Sequence, residues 1–295
     1  MSQTTMTTSR LAVVVQGPCL PATAATIAGI RRHLPGARIV LSTWEGADTT
    51  ALGLDPDTDD VVFSSDPGSF TCTTLNDIPG PPVNTNRMLV STLAGLRRAD
   101  RPFTLKVRTD AVIEHGGVLR LLAALPPATG EWALFGHLIG VSSVYTRNPL
   151  KTPTGSYHPA DTVQFGHTDD LLYLWDVPAM PESDAMYFPD PATRPVWSVT
   201  SQRFYPEQWI FLGALRKRYD VELEHRAVFA AEVMHASNRA LAQNFFVAEP
   251  WQIGVRVPHL DMQLRWGEDP ICVMTHPIWH QLREAALQPA VARTR

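Results

Sequence analysis

Two carboxylates are the residues in this chain best suited to chemistry. Asp110 closes the stretch Leu105-Lys106-Val107-Arg108-Thr109-Asp110, and the apolar run Ala111-Val112-Ile113 follows at once. Glu207 sits in Tyr205-Pro206-Glu207-Gln208-Trp209, with proline placed to open a helix. An aspartate between two apolar runs falls at the carboxyl end of a strand, where open α/β sheets build their ligand sites. There it suits a hard cation, Mn²⁺ or Mg²⁺, that keeps several waters and needs only one or two protein oxygens. Such an ion would neutralise charge on a leaving diphosphate, and a second carboxylate would take the proton of the attacking hydroxyl. Each residue has a plainer role as well. Asp110 also suits a cap for the next turn or a partner for Arg108, and an acid in a first helical turn is favoured by roughly 0.3–1 kcal/mol through the dipole alone.

Other polar groups stand where a nucleotide would be held. Gln16-Gly17-Pro18 and Ser42-Thr43-Trp44 end two neighbouring apolar runs, positions that serve base and ribose or simply make turns. Asn84, Asn86 and Arg87 lie at the start of a long helical pattern, where backbone amides and a guanidinium favour anions, though the asparagines also suit capping. His276 and His280 are four apart, a spacing that two metal ligands on a helix would have, but no HExxH accompanies them. His235 is isolated and reads as structural. GxGxxG, GxxxxGK[ST] and GxSxG are all absent, which removes the main supports for dehydrogenase, P-loop kinase and α/β-hydrolase readings.

Periodicity supplies the elements that must position these groups. Leu11–Val15 is a continuous apolar run, as in a strand buried on both faces. Ala37–Ser42 and Val61–Phe63 read as second and third strands, with a helix over Thr26–His33 between the first two. Asn84–Arg98 is the clearest helix, with Met88, Leu89, Thr92, Leu93 and Leu96 on one face. Phe103–Arg108 alternates apolar and polar residues, predicting a strand with one face in a core. A short helix over Gly117–Leu125, a strand over Trp132–Phe135, a short helix over Asp170–Trp175 and a helix over Pro206–Tyr219 complete the pattern. The stretch 145–200 reads as long loops over a site. Strands joined by short helical crossovers predict an α/β domain with a doubly wound, mostly parallel, Rossmann-like sheet flanked by helices and a loop-rich C-terminal half.

Composition narrows the classes further. The chain has 295 residues, 44% of them hydrophobic, enough for a full core in one large α/β domain or two small ones. Lysine and arginine number 25 against 29 acids, a net charge of −4, so no basic surface for nucleic acid is expected. Three cysteines, Cys19, Cys72 and Cys272, lack any CxxC spacing and fit a reducing cytoplasm. Neither a signal-peptide pattern nor an 18-residue apolar window is present, which leaves peripheral contact as the expected relation to a membrane. The ends, residues 1–10 and beyond about 287, are expected to be loose.

Several stretches, taken in order, resemble one family. Val13–Pro18 (VVVQGP), Ile39–Trp44 (IVLSTW), Ser65–Gly68 (SDPG), Asn84–Arg87 (NTNR), Ser91–Leu96 (STLAGL), Leu105–Asp110 (LKVRTD) and Glu207-Gln208 are similar to the WavE lipopolysaccharide-synthesis family of bacterial glycosyltransferases with a GT-A-like fold. The resemblance is dense over 11–114, patchy over 158–215 and thin beyond. It implies a single domain over 11–286, with a nucleotide-sugar half (11–114) and an acceptor half (115–286). Gln16, Gly17, Pro18, Thr43, Asn86 and Arg87 would bind the nucleotide-sugar. Asp110 would stand at the last position of a metal-binding DxD, with Arg108 in place of the first aspartate. Arg108 or Lys106 would then share the diphosphate charge with, or instead of, Mn²⁺ or Mg²⁺. Asp161, in Asp161-Thr162-Val163-Gln164-Phe165-Gly166, would line the acceptor side, and Glu207 would match the helix-start base of inverting enzymes. The implied activity is sugar transfer from a nucleotide-sugar to a saccharide acceptor in surface-glycan synthesis. A natural-product or nucleobase acceptor, or a non-catalytic binding protein on the same fold, remains open.

Overall fold

The structure is a computed structural model that describes residues 6–74, 78–195, 198–258 and 272–287. The loose ends expected at 1–10 and past 287 fall mostly outside these residues; within them, Thr8–Arg10 forms a turn of 3-10 helix that leads into the first strand.

The apolar runs become the parallel half of one sheet. Strand β1 (Leu11–Gln16) lies between β2 (Arg38–Trp44) and β4 (Phe103–Arg108), and β3 (Asp60–Ser64) pairs on the outside of β2, all parallel. Helix α1 (Thr23–His33) connects β1 to β2, and α2 (Thr85–Arg98) leads into β4. Past β4 come the two-residue strand β5 (Val112–Ile113) and helix α3 (Gly117–Ala123). Strand β6 (Ile139–Ser142) and strand β7 (Gln164–His167) extend the sheet, β7 running antiparallel to both β4 and β6. Helices α4 (Thr168–Trp175), α5 (Glu182–Ala185), α6 (Pro206–Leu215) and α7 (Ala231–Asn244) precede strand β8 (Phe245–Ala248), which pairs parallel with β6. The sheet order is β3-β2-β1-β4-β7-β6-β8, the mostly parallel α/β arrangement anticipated from the periodicity. Helix α8 (Pro250–Ile253), strand β9 (Val255–Arg256), which pairs with β5, and helix α9 (His276–Leu287) finish the described chain.

Alternate residues of β1 feed two different cores. Val14 joins one cluster with α2, α4 and α6, whereas Val13 and Val15 join the other with α1, α3 and α8. Both faces are covered, so the alternation in β4 does not mark a solvent face. Thr104 and Lys106 are as buried as Phe103, Leu105 and Val107, because α4 covers their side and the Thr104 hydroxyl is paired with that of Thr168.

Helix α2 rests almost directly on the sheet at Gly95. A Cβ there would lie 2.5 Å from Val14 Cγ1 and 3.1 Å from Ser42 Cβ. Gly95→Ala is therefore expected to cost about 1–3 kcal/mol by overpacking, read as a lower urea midpoint at unchanged slope. A midpoint equal to wild type would mean that the helix sits further from the sheet.

Several expected elements change in detail. Trp132–Phe135 is not a strand, because Gln243 and Asn244 at the end of α7 accept hydrogen bonds from the backbone amides of Trp132 and Leu134, leaving no ladder partner. Helix α6 stops at Leu215 rather than Tyr219, and Arg216, Lys217 and Arg218 form the turn beyond it. The 145–200 stretch contains β7, α4 and α5 between its loops. Strand β2 runs on through Thr43 and Trp44. Helix α1 begins at Thr23, and α2 begins without a side-chain cap, since Asn84 Oδ1 accepts from Arg87 Nη1 instead. Strands β6 and β8 and helices α7 and α9 were not among the expected elements. No helix among the described residues is long and apolar enough to cross a membrane.

Candidate active site

Parallel pairing brings three strand ends to one edge. Gln16 lies opposite Ser42 on one side and Arg108 on the other, so the ends of β1, β2 and β4 share a level. Here opens a cavity of about 410 Å³ lined by Gln16, Gly17, Pro18, Trp44, Arg87, Arg108 and others. Gly17 has φ +124°, a conformation that side chains resist, and a Cβ there would come within 3.3 Å of Thr109 Oγ1. Its amide donates to Ser42 O at 3.0 Å. The absent side chain leaves the backbone open to close approach by a ligand.

The polar groups of this cavity are held before any ligand arrives. The Ser91 hydroxyl lies 2.8 Å from Gln16 Oε1, and Ser42 Oγ donates to Ser91 O at 2.6 Å, tying α2 to β1 and β2. Arg87 grips Asp66 through two bonds of 2.7 Å, and Arg108 grips Asp110 through bonds of 2.9 and 3.1 Å. Both guanidiniums are thus fixed in place, each with its Nε–Nη2 edge on a carboxylate, and line the cavity as positioned positive charges.

A second cavity of about 600 Å³ adjoins the first, and Asn84, Met88 and Arg108 belong to both linings. Asp161, Glu207, His158, Tyr145 and Arg147 line it. Glu207 is the first residue after Pro206 at the start of α6, and that start is fixed by Gln208, which accepts from Tyr205 N and donates to Ser156 O. Burial, and then the charge of Asp161 within hydrogen-bonding reach, raise Glu207 well above the usual carboxylate range. His158 Nε2 lies 3.5 Å from Glu207 Oε2, and burial together with Arg147 pushes this imidazole down to about 3, so it is neutral. Its Nδ1 has no hydrogen-bond partner among the described residues. Tyr145 in this lining and Tyr157, the residue before His158, have positive φ of 73° and 56°, strained values of the kind that accumulate at functional sites.

Not every anticipated residue reaches these cavities. Thr43 is buried, with its hydroxyl 3.5 Å from Cys19 Sγ. Asn86 spends both ends of its amide on the Met180 backbone. Lys106 is fully buried beneath Asp161: its ammonium donates to the Asp161 carbonyl, lies 3.9 Å from Asp161 Oδ2 and stands 4.8 Å above the Trp175 ring. Burial lowers it to about 8. It lines neither cavity, because β4 is covered on that face. Gln16, Gly17, Pro18, Arg87 and Arg108 converge in the first cavity, and Asp161 and Glu207 in the second.

His158, Arg147 and Tyr145 were not singled out from the sequence, and Asp66 entered only within the Ser65–Gly68 stretch, with no role given. His158 stands three residues before Asp161 in Tyr157-His158-Pro159-Ala160-Asp161, but nothing local to that loop announces its pairing with a glutamate 49 positions later. His276 and His280 do not form a metal pair. The His276 ring lies 2.6 Å from the Val247 carbonyl, while His280 sits beside Glu284 on the exposed side of α9. Asp110 keeps both oxygens on the Arg108 guanidinium, and no group of three His, Cys, Asp or Glu side chains that could hold a metal ion occurs among the described residues. A carboxylate so occupied, with a cation beside it, does not fit a Mn²⁺ or Mg²⁺ site as it stands.

Comparison with known proteins gives a family match over most of the chain. The model of a family described as WavE lipopolysaccharide synthesis matches residues 11–292. No curated protein matches. Among solved structures, galactosyltransferase LgtC in complex with donor and acceptor sugar analogues is similar at 15% identity and a TM-score of 0.34, over 55% of this chain and 59% of that one. An active-site mutant of LgtC gives 14% and 0.33 over the same shares. The chain therefore spans 59% of the length of these LgtC structures. Mouse xyloside xylosyltransferase 1 gives 9% and 0.37, over 71% of this chain and 82% of that one.

Proposed function

The chain belongs to the WavE lipopolysaccharide synthesis family, and from that premise we propose that it is a glycosyltransferase moving a sugar from a nucleotide-sugar to a saccharide acceptor. One observation carries the reading. Arg108, at the carboxyl end of the central strand β4, stands in the wall common to a cavity with a second fixed guanidinium and a cavity with a pair of carboxyl groups. A diphosphate-linked sugar needs that order of chemistry: cations for the leaving group, then a base for the incoming hydroxyl.

On this reading residues 11–114 supply the donor side. The nucleobase and ribose lie toward Trp44, Gln16 and Gly17, and the diphosphate lies between Arg87 and Arg108. Residues 115–286 supply the acceptor side, where the Asp161–Glu207 pair takes the proton of the attacking hydroxyl. Arg108 stabilises charge as it develops on the departing diphosphate, a role that a fixed donor performs without reorganising. Thr43 and Asn86 support the donor side indirectly, Thr43 from within β2 beside Cys19 and Asn86 by holding the Met180 backbone. A divalent ion at Asp110 requires that carboxylate to give up Arg108, so no step is assigned to one. The reaction is taken to be cytoplasmic, and a lipid-linked acceptor would be met at the membrane surface.

Thermal unfolding against a panel of nucleoside diphosphates and nucleotide-sugars, with and without Mn²⁺, tests the donor side. A ligand at a hundredfold excess over its dissociation constant stabilises by about 2.7 kcal/mol. We expect one nucleotide to raise the midpoint without Mn²⁺, and the shift to be lost in Arg108→Ala. A shift that needs Mn²⁺ and is lost in Asp110→Ala would hand the diphosphate role to an ion at Asp110. Absence of any shift across the panel would remove the donor-site reading.

A further inference from the structure

Lys106 has no work in the scheme above, yet a lysine sealed inside a sheet is costly unless it is partnered. Its partner is Asp161. The ammonium is bound to the Asp161 carbonyl and faces Oδ2 at 3.9 Å, with the Trp175 ring closing the space on its other side. The Asp161 and Glu207 side chains line one cavity, and after burial the charge of Asp161 is what raises Glu207. Two carboxyl groups coupled in a buried site favour sharing one proton over carrying two charges. The surroundings of the two are unequal. Asp161 has Lys106 beneath it and Arg108 near it on β4, whereas Glu207 faces the neutral His158 at 3.5 Å, with Arg147, Tyr145 and Tyr205 on the remaining walls.

We propose that Lys106 is a positioning residue that keeps Asp161 charged and leaves the shared proton on Glu207, so that Asp161 is the base for the acceptor hydroxyl. This rests on the glycosyltransferase reading for the word base, and on the geometry alone for the place of the proton. In the transfer step the hydroxyl proton passes to Asp161, the hydroxyl oxygen bonds to the sugar carbon, and the bond to the diphosphate breaks with its electron pair leaving on phosphate oxygen. Glu207, already protonated, donates its hydrogen bond to Asp161 and aligns the carboxylate. The rise of Glu207, from burial and then from the charge of Asp161, agrees with this division.

Carbon-13 NMR of the full chain, with labelled aspartate, glutamate and lysine side chains, reads the proton directly. Asp161→Asn and Glu207→Gln assign the two carboxyl signals. At pH 7 the wild type is expected to show Glu207 protonated and Asp161 ionised. Lys106→Met is expected to redistribute the proton, moving the Asp161 signal toward its protonated position. Coupling is mutual, so Asp161→Asn is also expected to shift the Lys106 titration downward from about 8. That arm decides the matter even where Lys106→Met fails to fold. A proton found on Asp161 in the wild type, or a Lys106 titration unmoved by Asp161→Asn, would overturn the proposal. No donor or acceptor is present in this experiment. A blank nucleotide panel therefore counts against the glycosyltransferase reading alone, and a contrary titration against the assignment of the base alone.

Discussion

Asp161→Asn is expected to lower sugar transfer by about 10²–10⁴-fold, the range for loss of a positioned proton acceptor, with donor affinity left as it was. The split follows from geometry: Asp161 lines the acceptor-side cavity and is absent from the lining of the donor side. Asparagine keeps the shape, and the main-chain carbonyl that accepts from Lys106 is unchanged, so the fold should survive, which circular dichroism and the thermal midpoint would verify. Turnover and nucleotide affinity measured together decide the role. A variant that transfers sugar at the wild-type rate would show that the proton goes elsewhere, with Glu207 the next group to examine. A variant that loses donor affinity instead would place Asp161 on the wrong side of the reaction. Glu207→Gln is the companion change. It keeps a hydrogen-bond donor toward Asp161 and is therefore expected to cost less than Asp161→Asn.

The second large effect is expected at Arg108. Arg108→Ala should reduce turnover by about 10²–10³-fold, as removal of one preorganised donor to a developing oxyanion does elsewhere, and should weaken the donor as well. The side chain is anchored by two bonds to Asp110 and borders both cavities, so on the proposed reading it meets the diphosphate on one side and the site of bond exchange on the other. Arg108→Lys separates charge from shape. Lysine restores the charge but not the planar fork, and only partial recovery is expected. Full recovery would reduce the role to charge alone. An alanine variant with wild-type kinetics would exclude Arg108 from the reaction.

Much of this architecture could be read from residue order. LAVVVQ, RIVLSTW and FTLKVR are strand-length apolar runs separated by a helix-length segment or bounded by turn residues, and local sterics with apolar burial suffice to make them a parallel sheet. The polar residues at their ends, Gln16, Gly17 and Arg108, follow to the same edge because parallel pairing forces equivalent ends together. Arg87 reaches them because α2 enters from that edge and is held by Ser91. Those positions were identifiable because each depends on periodicity within about ten residues and on the direction of the chain.

The acceptor side was less legible. Asp161 and Glu207 lie 46 positions apart, on a loop before an antiparallel strand and on a helix start, and only the packing of α6 against the 154–158 loop sets them face to face. The same is true of what each group does. In the sequence Lys106 reads as the outward residue of an alternating strand, free to meet phosphate. Coverage of that face by α4 turns it into a buried cation under Asp161. Asp110 reads as a metal ligand or a cap, and the guanidinium two residues before it takes its carboxylate. The sequence determined the sheet, its edge and the kinds of side chain gathered there, because these follow from short-range pattern. Only the tertiary structure decided which charges are neighbours and which are sealed from water, because Coulomb energy and desolvation depend on distances of a few ångströms that no spacing along the chain encodes.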